Sequence, residues 1–150
     1  TSKRFFNEKN GKINVFRVKM YVPKTPTFIK RIIQIIHFVL LSLKFLFKLP
    51  KQSKILVVVP YTSCIVIALL VKFFRGGKIW CHIQDFEFDA AAQVMNFKFL
   101  KRVLFKIESA LLNRCDKVST ISNAMMTKLA SKTNTPSYLF ANFIDTNVFI

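Results

Sequence analysis

Hydrophobic and polar residues follow two kinds of pattern along this chain of 150 residues. Short runs rich in β-branched residues predict strands, and longer segments with apolar residues three or four positions apart predict helices. The predicted strands cover residues 13–22, 54–60, 78–83, 117–121 and 137–140, and the predicted helices cover residues 27–49, 64–74, 97–114 and 124–130. Because strands and helices alternate, the chain is predicted to form an α/β fold with a doubly wound, mostly parallel, Rossmann-like sheet.

Two of the predicted elements carry further local signals. The unbroken apolar run at residues 54–60 is typical of a parallel strand that is covered on both faces. Thr62 and Ser63 can cap the helix that follows, and Gly76 with Gly77 can end it.

The longest apolar segment, residues 27–49, is the candidate for contact with a membrane. It is interrupted by charged residues and a histidine, so it does not have the pattern of a spanning helix: Lys30, Arg31, His37, Lys44 and Lys48. Two interpretations remain open, a core helix and an interfacial helix whose lysines extend to lipid head groups. His37 is expected to have a structural role.

The charge of the chain limits the kind of partner that it can have. The formal net charge is +17, which indicates an anionic partner such as nucleic acid, acidic lipid or a phosphorylated substrate. A mean hydropathy of +0.34 favours a membrane surface over nucleic acid, because basic nucleic-acid modules are usually hydrophilic. The basic face of the helix at 97–114 is a second candidate for lipid contact, or an ordinary solvated face.

Several kinds of chemistry are disfavoured by the motifs. The three cysteines are widely spaced, which predicts neither a disulfide framework nor a zinc site but buried thiols. The sequence contains no P-loop, no G-x-G-x-x-G fingerprint and no G-x-S-x-G elbow. No metal site is predicted.

Polar side chains follow the predicted strands at the points where the strands end. The candidates are His82, Gln84, Asp85, Glu87, Ser122, Asn123, Asn142 and Asp145, with Tyr61, Thr62 and Ser63 after an earlier strand. Since the carboxyl ends of parallel strands meet at one edge, these groups are expected to line a common rim, and such a rim suits a sugar. Taken singly, Ser122 and Asn123 also fit helix caps, and Asp145 fits a turn.

Three stretches together resemble a known family. Residues 82–91 (HIQDFEFDAA), 108–125 (ESALLNRCDKVSTISNAM) and 142–145 (NFID) resemble the amino-terminal domain of GT4-type glycosyltransferases, and in particular the colanic-acid-biosynthesis transferases. Arg17 with Tyr21, Val22 and Pro23 resembles an upstream motif of the same group.

The resemblance implies a GT-B fold and a retaining enzyme without a catalytic metal. A nucleotide-sugar donor would be the co-substrate, and a lipid-linked or polysaccharide acceptor in exopolysaccharide synthesis would receive the sugar. His82 would lie against the donor sugar, Asp85 and Glu87 would line the acceptor side, and Asn142 and Asp145 would lie near the crossing between domains. The protein would be cytoplasmic and peripheral at the inner face of the plasma membrane.

The resemblance also implies that residues 1–150 are part of an acceptor-side domain. The family's first strand and its donor-binding domain would lie outside this sequence, so the piece alone is expected to be inactive and marginally stable. The alternative interpretation is a non-catalytic, basic α/β module that binds anionic membranes. No nucleic-acid partner is expected.

Overall fold

The computed structural model describes residues 5–10, 12–19, 21–25, 27–59, 63–86 and 98–142. This part of the chain contains six strands and four helices. The strands are β1 (Phe5–Asn10), β2 (Ile13–Val18), β3 (Lys54–Val59), β4 (Lys78–Ile83), β5 (Lys117–Thr120) and β6 (Ser137–Leu139). The helices are α1 (Phe28–Leu46), α2 (Ser63–Arg75), α3 (Lys98–Leu112) and α4 (Asn123–Ala130).

The last four strands form one parallel sheet in the order β3-β4-β5-β6. The strands in this sheet follow one another both in sequence and in space, and helices connect them. The pairing places Val58 beside His82, His82 beside Ser119, and Ser119 beside Tyr138. The predicted α/β class with a parallel, Rossmann-like sheet is thus confirmed.

The strand predicted at residues 13–22 does not join this sheet. It is shorter, Ile13–Val18, and pairs antiparallel with β1, so that Phe5 lies opposite Val18 and Asn10 opposite Ile13. The prediction that residues 13–22 form a strand of the parallel sheet is therefore wrong. The sequence pattern also missed β1, because its Asn, Glu and Lys residues give it no apolar run, whereas hairpin pairing satisfies its backbone groups irrespective of side-chain polarity.

The hydrophobic core lies on one face of the parallel sheet. Ile65 and Ala68 of α2, Leu112 of α3 and Leu129 of α4 pack against it in one cluster. The strands contribute Val57, Val59, Ile79, Cys81, Ile83 and Val118. Cys81 and Cys115 are buried free thiols and Cys64 is half-buried, so burial is confirmed for two of the three cysteines.

The opposite face of the sheet is much more open. Leu56 and Val58 of β3 are 60% and 44% exposed, while Val57 and Val59 are buried. The prediction that β3 is covered on both faces is therefore wrong. The physical reason is the sequential strand order, because right-handed crossovers that all step in one direction place their helices on the same face.

Helix α1 packs beside the sheet rather than on it. It contacts α2 and β2, and its inner side, with Phe38 and Phe45, lines an apolar cavity of about 220 Å³. The rings of Phe16 and Phe45 meet there at 4.9 Å between centroids. Its outer side carries an exposed stripe of Ile29, Ile32, Ile33, Ile36 and Leu40. Across the described residues, no helix has both the length and the apolar character that crossing a membrane requires.

A capping threonine and a pair of glycines mark two of the helix ends in the described residues. Thr27 caps α1, because its hydroxyl accepts the backbone N–H of Lys30 at 3.4 Å. Helix α2 ends before Gly76 and Gly77, whose φ angles are +74° and +109°. A Cβ atom at Gly77 would lie 2.0 Å from the carbonyl oxygen of Ser53, whereas at Gly76 it would meet the movable side chain of Gln52.

We expect Gly77→Ala to destabilise the fold by roughly 3 kcal/mol or more, because both the backbone angle and the contact with Ser53 forbid a side chain. Gly76→Ala is the matched control and should cost roughly 1 kcal/mol, mainly from the positive φ. Urea unfolding followed by circular dichroism measures both values. Equal losses in the two variants would contradict the role assigned to the close contact at Gly77.

Candidate functional site

The carboxyl ends of the parallel strands are joined by hydrogen bonds into one edge. The hydroxyl of Thr120 in β5 donates to the carbonyl of Ile83 in β4 at 2.9 Å. The N–H of Phe140, just after β6, donates to the carbonyl of Thr120 at 2.8 Å, and Gln84 N–H donates to the carbonyl of Val59 at 3.1 Å. Residues that follow β4, β5 and β6 therefore emerge at the same rim, as predicted.

His82 is the central side chain at this edge. It lies on the more open face of the sheet, yet only 6% of it is exposed. Its Nδ1 atom is 2.9 Å from the hydroxyl oxygen of Ser119, its neighbour in β5. The ring of Phe140 stands perpendicular to the imidazole, with 5.4 Å between centroids. Strand pairing and an aromatic neighbour together fix the position of this imidazole.

Trp80 completes the group around His82. Its indole N–H donates to the same Ser119 oxygen at 2.8 Å, and its ring packs edge-on against Phe140 with 5.9 Å between centroids. We refer to Trp80, His82, Ser119 and Phe140 as the His82 cluster. Strands β4 and β5 supply three of these residues, and Phe140 follows β6. The geometry of the cluster therefore depends on the register between these three strands.

Burial controls the charge of His82. Removal of the imidazole from water disfavours its protonated form, which lowers the pKa of His82 below its ordinary value. The side chain is therefore neutral at neutral pH, with one ring nitrogen protonated and one not. A neutral imidazole can donate one hydrogen bond and accept another.

One of these hydrogen-bonding positions is open. Within the described residues, Ser119 is the hydrogen-bond partner of the His82 ring, through Nδ1, and Nε2 has none. An unpaired polar atom on a buried side chain is uncommon in folded proteins. Nε2 of His82 is thus suited to contact a bound ligand.

The other predicted site residues are more exposed. Gln84 and Asp85 follow β4 at the surface, and one carboxylate oxygen of Asp85 accepts the N–H of Phe86 at 2.8 Å. Asn142 is exposed after β6. Glu87 and Asp145, together with Tyr61 and Thr62, lie outside the described residues.

Ser122 and Asn123 begin helix α4. The Ser122 hydroxyl accepts the N–H of Met125 at 3.3 Å, so Ser122 is the N-cap, and Asn123 is the exposed first residue of the helix. Ser122 therefore caps the helix, which was one of its two interpretations from the sequence. Contacts of these residues with a substrate remain predictions.

A buried ion pair supports the segment that follows β4. Lys132, after α4, and Glu108, in α3, are both buried and form an ion pair. The Lys132 ammonium also lies 4.7 Å from the ring centroid of Phe86 and 5.3 Å from that of Phe105. Cation–π attraction on a buried side chain holds Phe86, and so fixes the backbone beside Asp85.

The sequence did not reveal the supporting residues of the site. Ser119 stands inside a short strand, and only the pairing register shows that it faces His82. Lys132 lies in a polar stretch that gives no sign of burial. The described residues contain no group of three or more His, Cys, Asp or Glu side chains placed to hold a metal ion.

Stability should depend on pH through His82. Below about pH 6.5 the unfolded chain takes up a proton on this side chain, whereas the folded chain resists protonation because the pKa of His82 is lowered. The free energy of unfolding should therefore fall as the pH drops from 6.5 toward the folded pKa. In the wild type, protonation linked to His82 is expected to lower the free energy of unfolding by up to about 1.4 kcal/mol per pH unit in this range. His82→Gln should remove this contribution.

Urea unfolding at pH 7.5 and at pH 5.5, for the wild type and for His82→Gln, measures the difference. His37→Gln is the control for loss of a histidine as such. An identical pH slope in the wild type and His82→Gln would contradict a lowered pKa at His82.

Comparison with known proteins connects this chain with a curated glycosyltransferase. No protein family model matches the chain, and no solved structure matches it. The chain is 31% identical over 135 residues to the candidate colanic acid biosynthesis glycosyl transferase WcaI of Escherichia coli (strain K12). The match covers 85% of this chain and 33% of that protein, so the chain spans about a third of the length of the curated relative. The similarity supports a relationship between this chain and a glycosyltransferase.

Proposed function

We propose that this chain is part of a glycosyltransferase that moves a sugar from a nucleotide-sugar donor to a lipid-linked or polysaccharide acceptor. The observation that carries the proposal is the 31% identity to the candidate colanic acid transferase, which extends over 85% of the chain. The parallel α/β sheet is consistent with it, because ligands of such sheets bind at the carboxyl ends of the strands.

The finer assignment follows from the motifs. The stretches at residues 82–91 and 108–125 favour a GT4-type, retaining enzyme of the GT-B fold, with this chain as its amino-terminal, acceptor-side domain. The nucleotide sugar serves as co-substrate and no other cofactor is invoked. The product belongs to cell-surface or exopolysaccharide synthesis.

The roles of individual residues follow their placement at the rim. His82 contacts the donor sugar, because its Nε2 atom lacks a partner in the described part of the chain. Gln84 and Asp85 are exposed just beyond it and offer an amide and a carboxylate to the hydroxyl groups of an acceptor. Asn142 lies beyond β6 at the same edge.

Attachment to the inner face of the plasma membrane is part of the proposal. The exposed stripe of α1 includes Ile29, Ile33, Ile36 and Leu40, which lie on one side of the helix. Lys44 and Lys48 are exposed on the same helix and just after it, and the chain carries a net charge of +17. Apolar insertion together with attraction to acidic head groups describes an interfacial helix.

These same features favour a second candidate function. A non-catalytic, basic α/β module that binds anionic membranes would need the stripe of α1 and the positive charge, but not the open Nε2 of His82. Sugar transfer separates the two functions, since the module would bind vesicles and transfer nothing.

We expect His82→Ala in the full-length protein to lower sugar transfer by roughly a hundredfold, because a preorganised hydrogen bond to the reacting sugar would be lost. The measurement is incorporation of radiolabel from a panel of nucleotide sugars into membrane lipid. His37→Gln is the control, because Nδ1 of His37 accepts the N–H of Tyr21 at 3.1 Å, away from the rim. Unchanged transfer in His82→Ala would exclude the proposed role of His82.

We expect Ile33→Glu with Ile36→Glu to weaken binding to vesicles of phosphatidylcholine and phosphatidylglycerol by tenfold or more, since two apolar side chains would no longer enter the lipid (~1.5 kcal/mol or more each). Co-sedimentation measures the partition. Tyr138→Glu with Leu139→Glu, which adds the same two negative charges at exposed positions of the far strand β6, should leave binding within about twofold of the wild type. Equal losses at both places would indicate a general charge effect and contradict docking through α1.

A further inference from the structure

We propose that Ser119 is a positioning residue that holds His82 in its Nε2–H tautomer, so that the imidazole offers a hydrogen-bond donor to an oxygen atom of the bound ligand. The identity of that ligand as a sugar rests on the proposed function. The tautomer itself rests only on contacts within the sheet.

The hydroxyl group of Ser119 takes part in two hydrogen bonds. The indole nitrogen of Trp80 can only donate, so the Ser119 oxygen must accept from it at 2.8 Å. The hydroxyl still has one proton of its own to place, and Ser119 is fully buried. Within the described residues, the remaining partner is Nδ1 of His82 at 2.9 Å. The hydroxyl proton therefore points to Nδ1.

The opposite arrangement leaves two groups unpaired among the described residues, the hydroxyl proton of Ser119 and Nε2 of His82. If Nδ1 carried the proton, Ser119 would accept from both His82 and Trp80, and its own hydroxyl proton would have no partner among the described residues. A buried donor without an acceptor is strongly disfavoured. Protonation of both ring nitrogens creates the same conflict and adds the cost of burying a charge. The Nε2–H tautomer instead pairs the Trp80 indole N–H, the Ser119 hydroxyl and Nδ1 of His82, and leaves only Nε2–H without a partner among the described residues.

The hydrogen bond to Ser119 also fixes which way the imidazole ring faces. A flip about the Cβ–Cγ bond would keep the ring in nearly the same volume, but it would bring a ring carbon toward Ser119 and leave the Ser119 hydroxyl proton unpaired among the described residues. Phe140 stands perpendicular to the imidazole, with 5.4 Å between ring centroids, and packs against Trp80, so it supports the plane of the ring. Nδ1 therefore stays against Ser119, and Nε2–H is left for the ligand.

The consequence for chemistry is specific. Nε2 of His82 carries a hydrogen-bond donor and not a lone pair. It therefore binds a hydrogen-bond-accepting atom of the ligand, such as a sugar hydroxyl oxygen, and does not take a proton from the ligand. Because burial also lowers the pKa of His82, this state persists through neutral pH. The site is therefore expected to act by orientation and hydrogen bonding rather than by general base catalysis.

The test is nitrogen NMR of the intact protein with ¹⁵N-labelled histidine, with the His82 signals identified by their loss in His82→Gln. The wild type should show an unprotonated Nδ1 and a protonated Nε2. Ser119→Ala should show a mixture of tautomers and a His82 titration moved to higher pH, because a hydrogen bond to the neutral ring is lost. Trp80→Phe is the matched control and should keep the wild-type tautomer, since Ser119 can still donate to Nδ1.

A protonated Nδ1 in the wild type, or an unchanged tautomer and titration in Ser119→Ala, would overturn the inference. In the transfer assay, Ser119→Ala should lower kcat/KM about 3- to 10-fold, as expected for one hydrogen bond, and Ser119→Thr, which keeps the hydroxyl, should restore most of it. Loss of transfer in His82→Ala with no change in Ser119→Ala would also overturn the positioning role. A wild-type protein that transfers no sugar would instead refute the proposed function, while the NMR result would still decide the tautomer.

Discussion

Parallel pairing of β4 with its two neighbours is the constraint on which the rest of the structure depends. Ile79, Cys81 and Ile83 of β4 are buried in the core, which fixes the side of the sheet to which each residue of the strand points. His82 consequently lies on the other face, beside Ser119 of β5. Because side chains alternate along a strand, a slip of one residue would move His82 into the core and a core residue to the rim. Core packing and site geometry are thus set by the same register.

The two faces of the sheet have different functions in this fold. One face carries the apolar core that α2, α3 and α4 cover, and it supplies stability. The other is open along β3, and on it the buried imidazole of His82 packs against the ring of Phe140, just after β6. Burial lowers the pKa of His82, while its Nε2 atom has no partner among the described residues.

Helix α1 adds a second surface that does not depend on the sheet register. It packs against α2 and β2 through its inner side and exposes an isoleucine-rich stripe on its outer side. If the acceptor is attached to lipid, this stripe and the positive charge of the chain would hold the enzyme where the acceptor is found. The proposed membrane surface and the proposed sugar site are thereby parts of one function, although different elements build them.

The sequence by itself determined the α/β class, the bounds of most helices and strands, and the position of His82 at the end of β4. These features depend on local periodicity, capping by Thr27 and Ser122, and the positive φ angles of Gly76 and Gly77, all of which are encoded within a few residues. Only the tertiary structure decided that β2 pairs with β1, that β3 is open on one face, and that Ser119 and Lys132 support the site. Each of these depends on strand order and register, which join residues far apart in the chain. Local sequence patterns do not specify which strand pairs with which, because the backbone hydrogen bonds of a strand can be satisfied by any other strand.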